Sequence, residues 1–167
     1  MITTLPPSTD IHPATPAPIR RLDGLDTPAA GMWPLVVSSS VQRSLARTPS
    51  EALPISGGWL DVGAAPVASW MHVQLADRVI DLTVDEIAAD PFEPAAWHLS
   101  GVARFTDHAR QQPVTMTLRY HGVHRRGGHT WAWFSGTAVV GIARSRRRPA
   151  ERLTLDLLFE FDQAGGR

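Results

Sequence analysis

From Met32 onward, apolar and polar residues alternate along most of the chain. In Pro66 to Leu75, Val67, Met71, Val73 and Leu75 fall on one side, with Ala68, Trp70, His72 and Gln74 on the other. In Val79 to Val84, Ile80, Leu82 and Val84 alternate with Asp81, Thr83 and Asp85. Successive side chains of an extended chain point to opposite faces, so a period of two predicts strands. Met32 to Val41, Gly57 to Val62, Trp97 to Phe105, Pro113 to His124, His129 to Ile142 and Arg152 to Phe161 add further β-prone runs. Arg125 to Gly128 predicts a hairpin turn, because its two glycines can take positive φ. Arg144 to Pro149 reads as a second connecting loop. One stretch reads as helix: Thr83 to Asp90 has a capping threonine with Glu86 three residues later, and Pro91 and Pro94 end it.

About eight short strands joined by turns, with at most one or two short helices, predict an all-β fold. Several strands carry bulk on both faces. In His129 to Ile142, Trp131, Trp133 and Val139 face one way, while Phe134, Ala138, Val140 and Ile142 face the other. A closed antiparallel β-barrel, with a lumen inside and its outer face covered by another segment or a partner, accounts for this pattern. The expected organisation is a proline-rich N-terminal arm over residues 1–30 and a barrel domain over 31–163. Proline removes backbone donors and disfavours both helix and central strand.

Composition narrows the classes. The 167 residues suit one domain. There is no cysteine, which removes disulfide and thiolate chemistry. Sixteen arginines balance sixteen acidic residues with no lysine, and zero net charge argues against general nucleic-acid binding. Met1 to Ile19 has neither the basic start nor the apolar run of a signal peptide, and no apolar run approaches the ~20 residues that span a bilayer. The expectation is a cytoplasmic protein without membrane insertion.

Four stretches resemble the YceI-like family of lipocalin-like barrels: Gly57 to Ser69 (GGWLDVGAAPVAS), Trp97 to Val114 (WHLSGVARFTDHARQQPV), Val114 to Gly122 (VTMTLRYHG), and Trp133 to Ile142 followed by Leu153 to Phe161. The likeness spans roughly residues 32 to 162 and departs in the short segment from Arg78 to Ala96. The resemblance implies a lipocalin-like barrel that holds a polyisoprenoid or another long apolar ligand in its lumen.

Six tryptophans supply rigid apolar walls, each aromatic able to bury ~150–250 Å². The candidate ligand-lining residues are Trp70, Met116, Tyr120, Trp131, Trp133, Leu157 and Phe159. Which strand face points inward stays open, because a slip of one residue reverses it. An arginine from Arg144–Arg148, or Arg119, is the candidate for meeting a polar head group. No cofactor is called for and no metal site is expected. His121 and His124 are three apart, hence on opposite faces of a regular strand, and with His129 they lack a supporting carboxylate. The expected function is non-catalytic carriage of an apolar small molecule. Two alternatives stand beside it. One is an isomerase or cyclase using His72, His98, Asp81 or the Asp107/His108 pair as acid and base inside the lumen. The other is a homodimeric interaction module whose second apolar face meets a partner.

Overall fold

In the computed structural model, the residues described are 28–43, 51–88, 95–107, 110–142 and 151–163. Nearly all of the arm, His108 and the Arg144–Arg148 cluster lie outside them. Ten strands follow in chain order: β1 Gly31–Pro34, β2 Ser40–Arg43, β3 Glu51–Leu53, β4 Ile55–Val62, β5 Trp70–Leu75, β6 Arg78–Ala88, β7 Ala96–Phe105, β8 Gln111–Arg126, β9 His129–Ile142 and β10 Glu151–Asp162. They form one strongly curled antiparallel sheet, a half-barrel, in the order β1-β4-β5-β6-β7-β8-β9-β10-β2-β3. A single 3-10 turn at Pro66–Ala68 is the only helical element among the described residues. No helix among them is long and apolar enough to cross a membrane.

The period of two reappears as burial. Along β8, Val114, Met116, Leu118 and Tyr120 are buried while Thr115, Thr117 and Arg119 are exposed. Ile80, Leu82 and Val84 of β6 join Met71, Val73 and Leu75 of β5 in the same core. Its centre is aromatic: Phe134 meets Trp97 edge-on at 5.1 Å, Tyr120 at 5.1 Å and Phe161 at 5.9 Å between ring centroids. Burying one such side chain stabilises the fold by about 1.5–3 kcal/mol.

Glycine and bulges supply the curl. A Cβ on Gly101 would collide with the Asp81 carbonyl oxygen of the neighbouring strand, and one on Gly136 with that of Thr117. Only glycine permits such close strand approach, which tightens a sheet. Irregular pairing at Ile55/Gly57, Val84/Glu86 and Tyr120/Val123 adds local twist. The predicted hairpin turn is present: Gly127 and Gly128 have φ of 59° and 82° and join β8 to β9.

Two expectations need correction. The helix predicted from Thr83 does not form; residues 83–88 continue β6, with Asp85 as the extra residue of a bulge against β7. The alternation of Ile80, Leu82 and Val84 carries on into this stretch, and burying that face outweighs the local capping signal. The strands number ten where about eight are expected. The run from Met32 to Val41 is interrupted by a turn at Val37–Ser38, and Glu51–Leu53, outside the predicted runs, adds β3, which Pro54 separates from β4.

The first two strands sit between two neighbours. β1 pairs with β4 from Gly31↔Val62 to Pro34↔Trp59, and β2 pairs with β3 from Val41↔Leu53 to Arg43↔Glu51. On its other side β2 pairs with β10, from Ser40↔Leu158 to Arg43↔Leu155. Between them Leu35 bridges Phe161, the Leu35 N–H donates to Gly58 O, and the Val36 N–H donates to Glu160 O.

Candidate functional site

The candidate lining residues separate by face. Met116, Tyr120, Leu157 and Phe159 point into the core and pack within it. Trp70, Trp131 and Trp133 lie on the outer face; Trp70 is 59% exposed. The acid–base candidates His72, Asp81 and His98 are also outside, not in a lumen, because they alternate with the buried Met71, Leu82 and Leu99. The two-sided bulk of β9 therefore has a local explanation. Its outer tryptophans are covered by histidines: His121 stacks on Trp133 at 4.4 Å, His124 tilts against the same ring at 5.7 Å, and His129 stacks on Trp131 at 6.0 Å.

His121 and His124 share that face, contrary to their spacing. The bulge between Tyr120 and Val123 inserts one residue and reverses the phase, with Gly122 at φ 98°. Burial holds His121 below the ordinary histidine range, and the charges of Arg119 and His124 press in the same direction. Its Nε2 shares a 2.6 Å hydrogen bond with the Ser135 hydroxyl, and His129 Nδ1 lies 3.0 Å from Asp162. No group of three or more His, Cys, Asp or Glu among the described residues could hold a metal ion.

A continuous chain of contacts crosses four strands on the outer face. The Trp59 ring of β4 stacks on His72 of β5 at 3.9 Å and 17°. His72 Nδ1 is 2.6 Å from Oδ1 of Asp81 on β6, and Arg104 of β7 pairs with the other carboxylate oxygen. Burial alone would raise the Asp81 carboxyl; hydrogen bonds and charge from His72 and Arg104 outweigh it and hold the group below its ordinary value. The carboxylate is thus ionised, held by the His72 ring on one oxygen and by Arg104 on the other, and the Nε2 of His72 takes no part in that contact. Trp59, Trp70, His72, Thr83 and Ser100 border a cleft of about 310 Å³ beside this chain.

A second cavity, of about 430 Å³, opens where the pairing between the first and second chain segments lapses. It lies between residues 35–41 and 52–57. Leu35, Val41, Leu53 and Ile55 give it apolar walls that continue into the core, and Ser39, Ser40 and Ser56 line it too. Val36 and Ser39 are tied together by a turn hydrogen bond, and Ser39 is further anchored to Glu160. In the sequence, residues 35–41 belong to a β-prone run, whereas 52–56 fall in the polar, proline-containing stretch before the next one. The usable signals are the serine triplet, which interrupts the first, and Pro54, which lies in the second. Inside the core, the Trp97 indole N–H is buried with no hydrogen-bond partner.

No protein-family model matches the chain. No curated protein is significantly similar to it.

Proposed function

We propose that the protein is a non-catalytic binder of an apolar small molecule, built on an eight-membered lipocalin-like barrel and reached through a gap in its wall. Closure is supported by the registers of the first two segments. If β1 with β2, and β3 with β4, are each taken as one broken strand, every strand has two neighbours. The first segment then lies between β4/β3 and β10. Kinship with the YceI-like barrels is part of this proposal, and the sequence patterns at residues 57–69 and 97–122 support it.

The observation that carries the reading is the 430 Å³ cavity between residues 35–41 and 52–57. Its size falls within the range of small-molecule sites, and such sites combine apolar walls with a few polar groups. Burying a ligand chain there contributes ~25 cal/mol per Å² of apolar surface. Farnesol and palmitate, added to the full-length protein, serve as probes in native mass spectrometry. One equivalent should bind, and Ala52→Trp and Ser40→Phe, which fill the gap, should each weaken uptake by about tenfold or more. No mass shift with either probe, or undiminished uptake in both variants, would overturn the reading.

A further inference from the structure

The outer cleft is independent of the wall gap and differs from it in chemistry. The pairing registers set two rows across its strands. Trp59, His72 and Asp81 are direct partners in one row; Asp61, Trp70, Thr83 and Ser100 are direct partners in the next. The two indoles therefore stand diagonally on adjacent strands, 38% and 59% exposed. Trp59 is held in place by the stacked His72, which Asp81 and Arg104 fix in turn.

We propose that this cleft binds a neutral carbohydrate, with a pyranose ring laid against the indoles and its hydroxyls directed at His72, Thr83 and Ser100. A pyranose presents C–H groups on one face and hydrogen-bonding groups around its edge, and the cleft offers the complementary pair of surfaces. An alkyl chain would cover the indoles but would also lie against the polar edge of His72 and the hydroxyls of Thr83 and Ser100, and burying polar groups under hydrocarbon costs free energy. A charged ligand gains little, because Arg104 already balances the Asp81 carboxylate. The volume of about 310 Å³ accommodates one or two sugar rings.

The competing occupant is a second copy of this chain. Met32 is 57% exposed and pairs in register with Asp61, so it extends the Trp70 row toward the sheet edge. A flat protein contact would use that exposed row and would not need a concave pocket with hydroxyls at its rim.

The test is titration of the full-length protein with neutral hexasaccharides of β-1,4-glucose, α-1,4-glucose, β-1,4-xylose and β-1,4-N-acetylglucosamine, followed by tryptophan fluorescence and calorimetry. At least one should bind. Trp70→Ala should weaken binding by roughly tenfold, the scale of one aromatic contact. Ser100→Ala should weaken it by about threefold or more. Both positions lie on the outer face, and far-ultraviolet circular dichroism checks that the variants fold. Ala52→Trp should leave sugar affinity unchanged, which separates this site from the wall gap. Absence of binding by all four sugars overturns the proposal, as does unchanged affinity in Trp70→Ala. So does a dimer, seen by light scattering, that Trp70→Ala dissociates, because the patch would then be a self-association surface.

Discussion

His72 and Asp81 face each other as direct partners across β5 and β6, and the 2.6 Å contact between their side chains locks the ring that Trp59 stacks on. The Asp81 carboxyl has a folded pKa below its unfolded value of 3.8. The folded protein therefore binds fewer protons than the unfolded chain in that range. The stabilisation is complete above pH 3.8 and is lost as pH falls through the lower, folded pKa. After allowance for solvent screening at this partly exposed site, Asp81→Asn should lower stability near pH 7 by about 0.5–1 kcal/mol. Urea unfolding of the two proteins at descending pH should show the difference shrinking below pH 3.8.

His121 works in the opposite chemical sense. Its folded pKa lies below 6.5, through burial first and then the charges of Arg119 and His124. As pH drops below 6.5, the unfolded chain takes up a proton that the folded protein resists, so stability falls with pH until the folded pKa is reached. Nuclear magnetic resonance titration of the imidazole should place His121 below the ordinary histidine value of 6.5. Arg119→Gln should move it back upward, and an unmoved titration would separate Arg119 from the effect.

Gly101 and Gly136 should be intolerant of even a methyl group. A Cβ at Gly101 meets the backbone of Asp81 and Leu82, which cannot swing aside as a side-chain tip can. Gly101→Ala and Gly136→Ala are each expected to cost about 2–3 kcal/mol in equilibrium unfolding. Gly57→Ala is the control: nothing lies within 4 Å of its added Cβ, and its effect should stay within about 0.5 kcal/mol.

Gly122 carries the phase change that brings His121 and His124 onto one tryptophan. At φ 98° an alanine is strained by about 1–3 kcal/mol. Gly122→Ala should destabilise the protein and also alter the near-ultraviolet circular dichroism of Trp133, as its two histidine contacts rearrange. A loss of stability with an unchanged tryptophan signal would uncouple the bulge from the stack.

The elements legible in the sequence were those with uninterrupted alternation. Met71, Val73 and Leu75 of β5, and Ile80, Leu82 and Val84 of β6, share the buried face as their alternation groups them, although Val67, grouped with the first set, is exposed. The Gly127–Gly128 turn is where its residues place it. The features that escaped are breaks in period. A bulge leaves composition unchanged and shifts parity by one, so His121 and His124 read as opposed; the glycine between them was the available clue. Trp70 was marked as a ligand-lining residue, but alternation alone does not tell an exposed aromatic from a core one. It joined Met116 and Phe159 in a single set, although they occupy opposite faces. Trp59 and Arg104, which complete the outer chain of contacts, come from the strands flanking β5 and β6, and only the pairing registers show that they meet His72 and Asp81. The wall gap depends on two segments that each pair well at their ends, and neither one alone reveals a space.

The bridge from Leu35 to Phe161 and the Ser39–Glu160 hydrogen bonds fasten positions about 120 residues apart, whereas β4 through β10 assemble from successive hairpins. Closing that long loop costs about 2 kcal/mol more chain entropy than closing one of ten residues. The first segment should accordingly dock late in folding and detach early under mild destabilisation. Amide hydrogens at Leu35 and Val36 should exchange sooner than those of β8 or β9. Such breathing would widen the space between residues 35–41 and 52–57 without disturbing the aromatic centre, so the order in which the chain comes apart would also govern access to that space.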